Sequence, residues 1–146
     1  MNPADLDLRN ATYVQFVALG RPPEVGEVAA ALAMTEANVR EGWRRLHEVH
    51  ALVLDGAGEI RMLNPFSIPP TPFRVRAAGR SWFGNCGWDA FGIGSAMHVD
   101  STIDTGCADC HEPLRIEVRD GRSDDDSLVF HVLVPSSSWW NDIGFT

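Results

Sequence analysis

The sequence contains no lysine, a single tyrosine and few cysteines, and it lacks a long apolar run. All twelve basic residues are therefore arginines, and the formal net charge is −8. This acidic balance argues against tight nucleic-acid binding, which usually needs a basic face. A membrane span needs about 18 consecutive apolar residues, and none is present. The acidic N-terminus also lacks an apolar signal core, so we expect a cytoplasmic protein.

The chain has three cysteines in 146 residues, and so small and odd a number does not suggest a disulfide framework. In a cytoplasmic protein they are expected to be thiols or metal ligands before they are disulfides. Hydrophobic residues make up 45% of the chain, enough for a packed core. The length fits one compact domain or two very small ones.

Residues 1–63 are predicted to form a winged-helix-like N-terminal domain. Apolar spacing predicts a helix over residues 5–19, a second beginning near Pro23 and a third capped by Thr35. Two short apolar runs joined by a glycine-rich turn then predict a hairpin. One interpretation is DNA binding through Arg40, Arg44 and Arg45 on the third helix. The other is a packing domain whose arginines form a solvated face, and the acidic composition favours it.

Residues 64–73 hold four prolines and are predicted to be a semi-rigid linker. Residues 74–146 would then form the second domain. Apolar alternation and run length predict the following elements there: strands over 73–77, 101–105, 114–119 and 128–134, a helix over 85–97, and a last helix beginning at Trp139. The predicted class is α+β, with a small mixed or antiparallel sheet and one packed helix.

The most informative stretch of the chain places Cys86 three residues before Asp89. On a helix this spacing puts the thiol and the carboxyl on one face. Four aromatic residues flank them and would make the pocket partly dry: Trp82, Phe83, Trp88 and Phe91. A thiol and an acid in such a pocket can bind a soft electrophile and deliver a proton to it. The alternatives are a buried core cysteine and an exposed Asp in the first helical turn.

The second group of interest is Cys107-x-x-Cys110. This spacing is half of a structural zinc site, but no second pair of ligands with recognisable spacing follows. A zinc site and a purely structural role for Cys107 both stay open. No other cofactor is indicated by the sequence.

The stretch Gly79–Ile93 resembles the active-site segment of the alkylmercury (organomercurial) lyases, in which a cysteine follows an aromatic stretch and precedes an Asp by three residues. Residues 18–23 and the helices after them resemble the family's winged-helix-like N-terminal part. Cys107 matches a further family cysteine regarded as structural. The resemblance implies that Cys86 is a thiolate ligand of mercury and Asp89 the proton donor in protonolysis of a carbon–mercury bond. The implied partner is a thiophilic small molecule, and Hg(II) is the bound product.

The resemblance also implies a second reacting cysteine beyond the region that Trp139–Thr146 resembles, where this sequence ends. With one of the two thiols, the chain is expected to bind mercury less firmly and to cleave poorly. The family's later helical segment would be missing too, which would expose apolar surface and favour a homodimer. The alternative function is a non-catalytic winged-helix regulator, or a sensor of a metal or small molecule.

Overall fold

The computed structural model describes residues 1–132 and 134–143 of the chain. Helices and antiparallel strands occur together, so the predicted α+β class is confirmed. The chain divides into two compact units, Met1–Pro70 and Thr71–Thr146. In the first unit the elements are α1 (Pro3–Leu19), α2 (Val25–Leu32), α3 (Glu36–Glu48), β1 (Val53–Leu54), β2 (Ile60–Leu63) and β3 (Phe66–Ser67). In the second they are β4 (Arg74–Ala77), β5 (Arg80–Gly84), α4 (Gly87–Met97), β6 (Ser101–Gly106), β7 (Pro113–Arg119), β8 (Arg122–Ser123) and a 3-10 helix (Ser136–Asn141).

Local sequence signals set the helix boundaries of the first unit. Asn2 caps α1 by accepting a hydrogen bond from the backbone N–H of Asp5, and Gly20 ends the helix in the left-handed region. A capping box between Glu24 and Glu27 opens α2, and the predicted cap Thr35 opens α3. The three predicted helices and the hairpin formed by β1 and β2 are therefore all present.

The core of the first unit includes Trp43 of α3, whose side chain is fully buried, and α3 packs against both α1 and α2. The Trp43 indole Nε1–H donates to Thr12 Oγ1 at 3.0 Å, and the Thr12 hydroxyl donates in turn to the carbonyl of Leu8. Both buried polar groups are thus satisfied. Fully buried Val39 and Leu46 extend the apolar face of α3 along the same core.

The three arginines considered for DNA binding are each paired with an acid inside the first unit. Arg40 pairs with Glu59, Arg44 with Glu41, and Arg45 with the buried carboxylate of Asp5. These pairs offset the positive charge that phosphate contacts would need. The absence of tight nucleic-acid binding remains a prediction, and the ion pairs support it.

Part of the proline-rich stretch over residues 64–73 is packed. Phe66 and Ser67 form β3, which pairs antiparallel with β2, and the buried Phe66 ring meets Phe16 edge-on at 5.1 Å between centroids. Prolines on either side do not prevent pairing, because neither residue of this two-residue strand is proline. The first compact unit accordingly runs to Pro70.

In the second unit five strands form an antiparallel arrangement in the order β5-β4-β6-β7-β8. The register aligns Trp82 with Val75, Val75 with Ile103, and Ile103 with Ile116. This buried row runs across four strands, and α4 contacts three of them, β4, β5 and β6, through a face that includes fully buried Ile93. The sheet is therefore the support that fixes the position of α4.

Two predictions for the second unit are wrong. Residues 128–132 form no strand although they are apolar, and Val129 is 89% exposed. An apolar run indicates a capacity for burial, whereas a strand also needs backbone pairing with a neighbouring strand, and residues 128–132 form no such pairing. The rest of that predicted strand includes Leu133, which lies outside the described residues. The predicted last helix is a 3-10 helix that begins at Ser136, three residues before Trp139.

None of the helices in the described part of the chain has the length and apolar character required to cross a membrane.

Candidate active site

The site is built at the start of α4. Cys86 is the N-cap residue in an extended conformation, and Asp89 is the third residue of the helix. The predicted spacing thus brings the thiol and the carboxyl to the same end of one helix. The Asn85 side chain donates a hydrogen bond to Asp89 Oδ2 at 3.0 Å, which fixes the orientation of the carboxylate. Both candidate residues are partly buried.

Burial raises the pKa of the Cys86 thiol above its ordinary value of 9.0. The backbone N–H groups of Asp89 and Trp88 lower the pKa of the thiol. The Cys86 side chain nevertheless forms no helix-capping hydrogen bond. The negative charge of Asp89 adds to the increase. A helix N-terminus stabilises a thiolate, but here burial and the charge of Asp89 outweigh that effect. The protonated thiol is therefore favoured in the unliganded protein.

Burial likewise raises the pKa of Asp89 above its ordinary value of 3.8. Hydrogen bonding from Asn85 and from the Cys86 thiol lowers that pKa but does not cancel the effect of desolvation. A carboxyl group that holds its proton more readily than usual, next to a thiol, suits proton transfer at this end of the helix.

The aromatic surroundings of the site differ from those predicted. Trp82 is buried within the row across the sheet, and Phe83 and Phe91 are half-buried. Trp88 does not shield the site, because its side chain is 68% exposed. Trp88 lies on the outer face of α4 and is turned to solvent. Phe91 lies three residues further along the helix, on the same face.

Two aromatic residues near the site were missed in the sequence. A Cβ placed on Gly87 would lie 2.6 Å from a ring carbon of Phe130 and 3.5 Å from one of Phe73. Both rings therefore pack directly on the first turn of α4, where only glycine leaves room for them. Phe73 precedes β4 and Phe130 lies in the apolar run after β8, so no local pattern connects either ring with Cys86. In the sequence, only Gly87, the glycine beside Cys86, indicated that other side chains approach this turn closely.

Cys107 and Cys110 occupy the connection between β6 and β7. Hydrogen bonds from the backbone N–H groups of Cys110 and Asp109, and from the Cys110 thiol, lower the pKa of Cys107 below 9.0. All three cysteines of the chain are free thiols. In residues 1–132 and 134–143, no group of three or more His, Cys, Asp or Glu side chains is arranged to hold a metal ion. A three- or four-ligand zinc site is thus not formed by the described side chains.

Two open clefts lie elsewhere on the second unit. One, of about 390 Å³, is bordered by Arg76, Arg80 and Arg119 together with neighbouring backbone. The other, of about 400 Å³, is bordered by His98 and Asp120. Neither includes Cys86 or Asp89. Cleft size therefore does not identify the site, and the assignment depends on the chemistry of the side chains.

The sequence of the chain matches the family model of MerB, described as alkylmercury lyase, over residues 66–146. The matched segment is more than half of the chain and contains the start of α4 and the β6–β7 connection. The chain belongs to the alkylmercury lyase family. No curated protein matches it.

A solved structure of an alkylmercury lyase family relative shares the fold. It is titled "Crystal structure of the mercury-bound form of MerB2", and the TM-score is 0.68 at 20% sequence identity. The similarity covers 86% of this chain and 60% of that one. The present chain therefore spans less than two thirds of the length of this alkylmercury lyase relative. At this identity the likeness establishes the fold and leaves the activity to be argued from the site.

Proposed function

We propose that this chain binds an organomercurial through Cys86 and transfers a proton from Asp89 to the carbon attached to mercury. One observation carries the proposal: a partly buried thiol and a partly buried carboxyl lie at the same helix end, and burial raises the pKa of both groups. Membership of the alkylmercury lyase family supports it. Mercury is the substrate atom here, and no resident cofactor is needed.

Binding begins with the free thiol of Cys86. Mercury is a soft cation that prefers thiolate sulfur, so the S–H bond breaks and an S–Hg bond forms. The ligand that the organomercurial carried opposite its carbon leaves as an anion, and the proton of the thiol must be accepted nearby. Asp89 is placed to accept it, because its carboxylate already interacts with this thiol. The same proton transfer removes the negative charge that disfavours a Cys86 thiolate. Ligand binding thus loads Asp89 with the proton that the next step consumes.

Protonolysis returns that proton to the substrate. The electron pair of the carbon–mercury bond takes the proton from Asp89, the hydrocarbon leaves, and the mercury stays on Cys86 with one positive charge gained. Partial burial keeps the proton on Asp89 until it is transferred and limits the access of solvent to it. The mercury then needs a second sulfur ligand. We propose that a small thiol supplies it, because the described side chains form no group of three or more His, Cys, Asp or Glu that includes Cys86.

The test is a single-turnover reaction with one equivalent of an organomercurial and an excess of a small thiol. Released hydrocarbon is measured by gas chromatography, and the mercury species left on the protein is measured by intact mass. The wild-type chain is expected to release hydrocarbon and to carry mercury without its organic group. Asp89→Asn should carry the intact organomercurial and release at least about a hundredfold less hydrocarbon, the usual contribution of a positioned acid.

Matched controls come from the same unit. Cys86→Ser should abolish hydrocarbon release, whereas Asp109→Asn, an exposed acid outside the site, should release hydrocarbon as wild type does. Hydrocarbon release from Cys86→Ser at the wild-type rate would contradict the proposal. If wild type retains only the intact organomercurial, Cys86 binds without cleavage and the role of Asp89 is refuted.

A further inference from the structure

The connection between β6 and β7 is a closed turn that holds two thiols. The last pair of the β6–β7 ladder joins Gly106 and Pro113. Inside it the backbone N–H of Cys107 donates to the Glu112 carbonyl at 2.9 Å, and that of His111 donates to the Cys107 carbonyl at 3.0 Å. These two bonds fix the backbone on both sides of the Cys107–Cys110 pair. The backbone of this turn is thus constrained by hydrogen bonds, unlike that of a free loop.

The turn brings residues 107 and 110 close together, because the hydrogen bond from the His111 N–H to the Cys107 carbonyl closes the backbone around them. The Cys110 thiol interacts with Cys107 as a hydrogen-bond donor, and both residues are free thiols. Cys110 is exposed and Cys107 is half-buried, so an ion from solvent can reach the pair. The backbone N–H groups of Asp109 and Cys110 also face the Cys107 sulfur, which compensates negative charge there.

The number of ligands selects the kind of ion. Zinc in structural sites takes four ligands in a tetrahedron, and the described side chains supply no third His, Cys, Asp or Glu to this pair. Two thiolates instead suit a soft ion that can be coordinated by two sulfur ligands alone, such as Hg(II), Ag(I) or Cu(I). The described side chains thus do not supply the four ligands of a structural zinc site, and the two thiols favour a soft ion.

We propose that Cys107 and Cys110 form a second, dithiol site that binds a soft two-coordinate cation independently of Cys86. With Hg(II) delivered as its complex with two small thiolates, two S–H bonds and the two bonds from mercury to those thiolates break, two S–Hg bonds to the protein form, and the two protons leave on the released small thiols. No electrons are transferred. The proposal does not depend on organomercurial cleavage, because it uses neither Cys86 nor Asp89.

The test uses the full chain with Cys86→Ser, so that only this pair can bind. Mercuric chloride is added with an excess of 2-mercaptoethanol, and native mass spectrometry records what stays bound. The parent Cys86→Ser chain is expected to hold one Hg(II) with no 2-mercaptoethanol attached. Adding Cys110→Ser should shift the adduct to Hg(II) carrying one 2-mercaptoethanol. It should also lower the thiol concentration that strips half the mercury by at least about tenfold, because the second bond is no longer intramolecular.

Ala108→Ser in the same background is the matched control, since it alters an exposed position of the turn without removing a sulfur, and it should bind like the parent. Cys107→Ser provides a second one-thiol variant, and far-UV circular dichroism checks that each variant is folded. An adduct of the parent that always carries 2-mercaptoethanol would overturn the proposal. So would unchanged mercury retention after Cys110→Ser, or zinc retained by the parent as tightly as mercury.

Discussion

Gly84 ends β5 at the point where α4 passes over it, and its replacement tests whether this contact sets the position of the site. A Cβ at residue 84 would lie 2.7 Å from the backbone nitrogen of Ala90 and 2.9 Å from its Cα. Both are backbone atoms of the helix that carries Asp89, so they cannot rotate away. Gly84→Ala must therefore displace α4 from the sheet or strain the end of β5.

The magnitude follows from two opposing effects. Overpacking of this kind costs about 1–3 kcal/mol. Replacing glycine by alanine lowers the entropy of the unfolded chain and returns about 0.4–1 kcal/mol. The net loss of local stability is about 0.5–2 kcal/mol, which corresponds to about two- to thirtyfold faster hydrogen exchange of the α4 amides, since about 1.4 kcal/mol is a factor of ten.

Hydrogen exchange with mass spectrometry on peptides covering α4 measures this change directly. Gly106→Ala is the control in the same unit, because its Cβ would meet only ordinary contacts at 3.8 Å. That variant should leave α4 exchange unchanged or make it slower. The reasoning fails if Gly84→Ala and Gly106→Ala give the same α4 exchange, because the close approach at Ala90 would then have no energetic consequence.

Two further predictions concern a buried acid and a buried indole. Because burial raises the folded-state pKa of Asp89 above 3.8, its ionisation destabilises the fold as pH rises through that pKa. Asp89→Asn should therefore have a higher urea midpoint than wild type at neutral pH, with the difference vanishing below pH 3.8, and an equal midpoint at neutral pH would contradict the assigned shift. Trp43→Phe removes the Nε1–H bond to Thr12 and part of a buried ring, so it should lower the free energy of unfolding by about 2 kcal/mol. The exposed Trp88→Phe is its control and should stay within about 0.5 kcal/mol of wild type in the same urea titration.

Much of the fold could be predicted because its signals are local. Thr35 caps α3 as predicted, since a side-chain oxygen at this position satisfies a free backbone N–H whatever surrounds the helix. Strict alternation predicted β7, which extends only one residue beyond the predicted strand. The apolar run after β8 failed because strand formation there depends on a partner edge, and the sequence of the run contains no information about that edge.

The sequence by itself determined that Cys86 and Asp89 lie at the same end of one helix, because three-residue spacing has that consequence in any helix. It also determined the family, whose model is matched by the order of residues alone. Tertiary structure decided which aromatic rings pack on the first turn of α4. Phe73 and Phe130 pack on Gly87 from distant parts of the chain, while the adjacent Trp88 turns to solvent. It also decided the protonation of the site, because desolvation depends on everything packed around a group and not on its neighbours in the chain.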